Sequence, residues 1–214
     1  MFLKILLGVW MAAVIAAAFL FAPAAGGFAE PEAARIIFFH VPNATVSAIA
    51  FIVAMVYAAL YLRRPGPMDD AKSAISAELG LLFAVLATIT GSLFAHLQWR
   101  SWWNWDPRET SIVILLLVYA AYFALRSAVE GAEKRASLSA VYAILALPAM
   151  VFLMFVMPRV MSSLHPESTL VKGGSLGIEY RLVLYPAMLG FLGLYIWLFR
   201  IKTALAEIKL KMRR

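Results

Sequence analysis

The chain has three histidines, His40, His96 and His165, and four of its six tryptophans fall within seven residues. That cluster is WRSWWNWDPRETS, from Trp99 to Ser111. Imidazole is a good ligand for iron, zinc and copper. Indole rings offer a large, stiff apolar surface to a flat ligand, because each has only two rotatable angles. Arg100 and Arg108 lie in the same stretch, and Arg35 lies five residues before His40. Guanidinium forks bind carboxylates in a bidentate manner. The chemistry on offer is therefore metal ligation beside an aromatic shelf, with cations for an acidic ligand. No cysteine is present. That excludes disulfides, thiolate metal sites and thioether attachment of a group to this chain.

The elements that carry these residues are membrane spans. Hydrophobic residues make up 64% of the 214, and charged residues 14%, far from the composition of a soluble domain. Six apolar runs approach the ~20 residues that a spanning helix needs. They cover 2–22, 42–62, 74–96, 108–126, 138–157 and 180–200. The expected fold is an all-α, six-helix membrane bundle forming one domain over 1–214. Connections are expected at APAAGG (22–27), RRPGPMDD (63–70), EGAEKR (130–135), and HPES with KGG between 165 and 174. The first run exceeds the 7–15 residues of a signal-peptide core and is read as a retained span.

Alternating the loops between two sides splits the Lys and Arg residues 13 to 6. The richer side holds both termini, and positive residues favour the cytoplasm. The net charge of +7 then reflects topology and the anionic inner leaflet, without nucleic acid. All three histidines and the tryptophan loop fall at or beside the outer loops.

Within that loop, Asp106-Pro107-Arg108-Glu109 reads as a helix start. Asp suits the N-cap, Pro the first helical position, and Glu three residues after the cap completes a capping box. Asp106 is thus read as a cap in preference to a direct cofactor contact. An interfacial aromatic belt accounts for one or two tryptophans; four in one loop point to a ligand shelf. If 102–105 is extended, Trp103 and Trp105 share a side and Trp102 faces away. His40, in FFHVPN, is placed at the opening of the second span, with Pro42 in its first turn. His96 is read as an interfacial residue, and Glu78 as a helix-start residue. A zinc site normally wants three or four protein ligands. Two histidines with an aromatic platform suit haem better, since the porphyrin supplies four in-plane nitrogens and leaves two axial positions. Arg100, Arg108 and Arg35 are candidate partners for the propionates, with membrane snorkelling as the alternative.

These residues resemble a known family. WRSWWNWDPRETS is similar to the tryptophan-rich WWD signature of haem-handling membrane proteins of cytochrome c biogenesis. RIIFFHVPNATVS (35–47) and SSLHPES (162–168) resemble the two histidine segments of the CcmC family. The resemblance spans nearly the whole chain. It implies binding of haem b as cargo at the outer face of the bacterial cytoplasmic membrane. It implies work with the ABC transporter CcmA and CcmB, the small membrane subunit CcmD, and delivery to the haem chaperone CcmE. It carries over His40 and His165 as axial ligands of the haem iron, and Trp99, Trp102, Trp103, Trp105 and Asp106 as the haem platform. Arg100 stands where the family commonly has Gly, and DPRETS replaces the more usual DxRLTS. The Pro and Glu resemble the relatives CcsA and CcmF.

Four functions compete. Haem binding and delivery needs no bond change by this chain. A cytochrome c haem lyase of the CcsA type is the enzymatic alternative; those relatives are larger and carry further histidines inside the membrane, which this chain lacks. A b-type quinol oxidase wants histidine pairs on facing helices. An ion-coupled transporter wants ionisable residues near the midplane, and the spans offer none there.

Overall fold

The computed structural model describes residues 2–26, 28–165 and 176–212. Among them the regular structure is helical, with no strand. Helix α1 covers Phe2–Leu20. A 3-10 turn, Pro31–Ile36, runs directly into α2, Ile37–Arg63. Then come α3 (Pro67–Trp99), α4 (Pro107–Ala128), α5 (Ala132–Val160) and α6 (Ile178–Lys211). All six are long and apolar enough to cross a membrane. The connection expected around 165–174 lies, after His165, outside the described residues.

The helices outrun their hydropathy. Helix α3 has 33 residues and α6 has 34. At 1.5 Å per residue each is about 50 Å long, against a hydrocarbon core of about 30 Å. The apolar run marks only the part in lipid; the helix continues at both ends. Pro67 does not stop α3 but starts it, at the first position after an extended Gly66. The connection between α2 and α3 therefore shrinks to 64–66, and that between α4 and α5 to 129–131, where Gly131 takes a φ of +81°. These two turns correct the longer connections expected at 63–70 and 130–135.

Two residue readings change with the boundaries. His40 and Pro42 lie inside a continuous helical stretch, not at its opening. Pro42 cannot donate to the Phe38 carbonyl of the preceding turn; next to it, the Asn43 side chain donates to the Phe39 carbonyl at 2.9 Å. Glu78 sits about three turns into α3, not at its start. It accepts a hydrogen bond from Lys202 of α6 at 2.6 Å.

Lipid tails give helices no hydrophobic reason to associate, so close packing and hydrogen bonds hold the bundle. The tightest contact is Phe51 of α2 over Gly80 of α3. A Cβ at Gly80 would lie 2.5 Å from the Phe51 ring. The other face of Phe51 stacks on Tyr119 of α4, centroids 3.6 Å apart and planes 14° from parallel. One phenyl ring thus joins three helices. Ser76 adds α6: its hydroxyl donates to the Ala50 carbonyl at 2.6 Å and lies 2.7 Å from the Tyr195 hydroxyl. At the opposite end from the tryptophan loop, Arg126 of α4 forks onto Asp70 of α3 at 2.6 and 2.9 Å. Helix α1 stands outside and rests on α6, where the Trp10 indole donates to the Pro186 carbonyl at 2.9 Å.

Gly80→Ala is expected to destabilise the bundle by about 1–3 kcal/mol, the usual cost of overpacking. The measurement is the midpoint of denaturant-induced helix loss in detergent. An unchanged midpoint would show that Phe51 can retreat from α3 without loss.

Candidate functional site

Apart from the short turns 64–66 and 129–131, the described irregular segments gather at one end of the bundle. Backbone without regular hydrogen bonds cannot face hydrocarbon, so such segments are confined to helix ends. There, a cavity of about 210 Å³ opens between α2, α3, α4, α5 and the segment that ends at His165. His40, Trp103, Arg108 and His165 all line it.

His40 is held by α3. Its Nδ1 lies 2.9 Å from the Ala87 carbonyl oxygen and 3.3 Å from the Thr90 hydroxyl. A carbonyl oxygen only accepts, so Nδ1 carries the proton and Nε2 keeps its lone pair. Histidines that bind metals typically donate their other ring nitrogen to a carbonyl in this way. Gly91 makes the approach possible. A Cβ there would sit 3.0 Å from Cε1 and 3.3 Å from Nδ1 of the His40 ring. Thr90 and Gly91 were not legible as site residues, because they occupy the middle of an apolar run.

His165 is held by Asp106. The Asp106 side chain accepts from the Arg108 amide at 2.9 Å, and Glu109 Oε2 accepts from the Asp106 amide at 3.3 Å. The expected cap and capping box are both present. The same carboxylate also accepts from the Ser163 hydroxyl at 2.9 Å and the Leu164 amide at 2.7 Å. It lies 3.7 Å from His165 Nδ1, which has no hydrogen-bond partner among the described residues. Burial pushes the Asp106 carboxyl up, but the Arg108 and Leu164 amides and the Ser163 hydroxyl outweigh it, so the net shift is downward. Burial, reinforced by the Arg108 guanidinium, pushes the His165 imidazole down to about 4, against the opposing pull of Asp106. His165 is therefore neutral at physiological pH, the form that can ligate a metal.

The tryptophans divide. Trp103 lines the cavity. Trp99 packs edge-on against His165, centroids 5.5 Å apart. Trp102 and Trp105 do not line the cavity; they are 57% and 75% exposed. The extended run expected for 102–105 is interrupted: Trp105 has a φ of +55°, and its ring meets Trp103 edge-on, centroids 6.1 Å apart, so the two rings form no flat shelf. Trp102 stacks on His96, 4.1 Å away and 3° from parallel. His96 is therefore a packing partner of the loop, more than an interfacial residue. Arg100 also departs from expectation: it ends α3 in the left-handed region, φ +58°, and pairs with Glu30 at 2.9 Å. Arg35 is engaged by the Ala22 carbonyl and Glu32. Of the three arginines, Arg108 alone lines the cavity, and its buried Nε has no partner. Asp106 lies under the site, not on its wall.

Sequence reading also missed the far wall. Helix α5 passes through a π-helical segment, Phe152–Val156, between Pro148 and Pro158. The wider turn carries Leu153 and Met154 to the cavity. Such segments are frequent at functional sites. The two prolines ten residues apart were the available signal.

Six spanning helices, with two histidines from different segments converging on one terminal cavity, define a multi-span membrane protein with a ligand site at one end of the bundle. The model of one family, described as Heme exporter protein C (CcmC), matches residues 1–214. The chain belongs to that family. Heme exporter protein C of Paracoccus denitrificans is 31% identical over 185 residues, covering 83% of this chain and 77% of that protein. That of Haemophilus influenzae is 29% identical over 208 residues, covering 91% and 78%. A putative cytochrome c biosynthesis ccmC-like mitochondrial protein of Marchantia polymorpha is 34% identical over 92 residues, covering 43% and 40%.

Asp106→Ala is expected to cost about 0.5–2 kcal/mol as a lost cap. It should also speed amide exchange at Leu164. Asp106→Asn, an equally good cap, should keep most of the stability. Unchanged exchange at Leu164 in the alanine variant would show that the segment is held by other contacts.

Proposed function

We propose that the chain holds haem b as cargo between His40 and His165 at the outer face of the bacterial cytoplasmic membrane. It then hands the haem to the chaperone CcmE, in a complex with the ABC transporter CcmA and CcmB and with CcmD. A role in haem handling during cytochrome c biogenesis follows from the family and from the names of the relatives. The observation that carries the finer reading is the convergence of two imidazoles on one cavity, each with a ring nitrogen that has no hydrogen-bond partner among the described residues, beside Arg108, whose buried Nε has none there either. Haem needs two axial nitrogens and a cation for its propionates, and this set offers both. Trp103 supplies the aromatic wall, and Trp99 packs edge-on against the His165 ring. The cavity is smaller than the 300–1,000 Å³ of sites that enclose a drug-sized ligand. Haem therefore enters with an outward shift of the His165 segment or the tryptophan loop. The chain binds and transfers, with no bond made or broken by its own side chains, and residues 1–214 act as one unit.

The spectrum of each purified variant tests the ligand pair. His40→Ala or His165→Ala should convert six-coordinate, low-spin haem to a five-coordinate or water-ligated form with lower occupancy. Added imidazole should partly restore the low-spin spectrum, because it fills the vacated axial position without a tether. His96→Ala should stay low-spin, since His96 stacks on Trp102 away from the cavity. A wild-type spectrum from His165→Ala, or loss of low-spin haem in His96→Ala alone, would overturn the assignment. Thioether-linked cytochrome c formed without the chaperone would favour the lyase reading.

The membrane side is tested separately. The 13 to 6 split of positive residues supports a cytoplasmic location for both termini. A Ser101→Cys variant should react with a membrane-impermeant maleimide in intact spheroplasts. Reaction only after the membrane is opened would put the site on the inner face.

A further inference from the structure

A cavity larger than the histidine site lies apart from it. It is a groove of about 660 Å³ between α1 and α6, walled by Leu6, Trp10, Gly193 and Trp197 and flanked by Lys4 and Arg200. The two helices run antiparallel. Trp10 bonds to Pro186, and Leu7 reaches Gly193, where a Cβ would meet it at 3.0 Å. The same register sets Lys4 beside Trp197 and Arg200. The groove is thus apolar at its deep end and doubly cationic at its shallow end.

We propose that this groove is a binding site for one anionic phospholipid, whose acyl chain lies along Trp10 and Gly193 and whose phosphate meets Lys4 and Arg200. Three observations favour that occupant. The charge is complementary: no acidic residue lines the groove, and neither Lys4 nor Arg200 has an ion-pair partner among the described residues. The length fits. The groove runs along α6 from Leu189 to Ala204, and Arg200 stands about 17 Å along the axis from Leu189, close to half of a ~30 Å hydrocarbon core. The two cations therefore sit at headgroup depth while the deep end reaches towards the midplane. The lining also argues against a metalloporphyrin, because it contains no histidine, methionine or tyrosine to ligate iron. The site couples a peripheral helix to the bundle. Helix α1 packs mainly against α6, with Phe19 also touching Phe39 of α2, and a lipid seated between α1 and α6 would fill the space that their side chains leave open.

Native mass spectrometry of the full chain in mixed micelles tests the proposal, with phosphatidylglycerol and phosphatidylethanolamine at equal concentration. The wild type should retain one phosphatidylglycerol with roughly tenfold preference, as expected for two cations at the headgroup level. Lys4→Gln with Arg200→Gln should abolish the preference, while Lys4→Arg with Arg200→Lys should keep it. In nanodiscs, phosphatidylglycerol with brominated chains should quench a component of tryptophan fluorescence that is missing from Trp10→Phe/Trp197→Phe. Equal retention of the two lipids by the wild type would overturn the proposal. So would a preference that survives charge removal, or a bound haem or peptide mass in place of the lipid.

Discussion

One carboxylate organises the end of the bundle where the site lies. Asp106 caps α4 and also accepts from the Ser163 hydroxyl and the Leu164 amide, 57 and 58 residues away in sequence. The positive end of a helix dipole favours a negative charge at that position. The charge therefore stays in place although Asp106 is only 4% exposed. Without it, Ser163 and Leu164 would lose the carboxylate that ties them to the start of α4. The positions of Arg108, Glu109 and His165 all follow from this one residue, since Arg108 and Glu109 occupy the helical turn it starts.

The bundle beneath serves a different constraint. Its helices must satisfy their own backbone within lipid and then find reasons to associate that are not hydrophobic. Gly80 under Phe51, Gly91 under His40 and Gly193 under Leu7 show one solution repeated at three places: a missing side chain admits a neighbour's ring or branch. Buried hydroxyls supply the other, as Ser73 and Ser76 of α3 bond to carbonyls of α2. Both devices lie on α3 and α6, the two longest helices, which extend past the hydrocarbon at each end.

Much of this was legible in the sequence. The six runs, the start of α4 at Pro107 and the cap at Asp106 each rest on local chemistry, and local chemistry is written in adjacent residues. Where the reading fell short, the missing information was long-range. Hydropathy stopped at residue 96 because Leu97–Arg100 is not uniformly apolar, although the helix continues to Trp99 and carries it beside His165. Spacing suggested a flat shelf at 102–105, but a left-handed Trp105 turns that ring outward, and nothing in its own residue type announces this. Arg100 and Arg108 looked equivalent; only the fold shows that Glu30 is within reach of one and the cavity within reach of the other. Glycines in an apolar helix give no sign of which ring they accommodate. That is why Gly91, and with it the orientation of His40, emerged only from the packed structure.

The two imidazoles are mounted very differently. His40 projects from the interior of a long helix, and its ring is pinned to the backbone of a second one. His165 sits on irregular chain, tied through neighbouring residues to a single side chain. Anything that bridged them would be gripped by one stiff arm and one compliant arm. Separation would then have an order: the compliant arm yields first, and the bridging molecule stays on the stiff one with an open face towards the exterior. A symmetric clamp of two helical histidines would favour permanent residence. The asymmetry suits a perch from which a passenger departs in one direction.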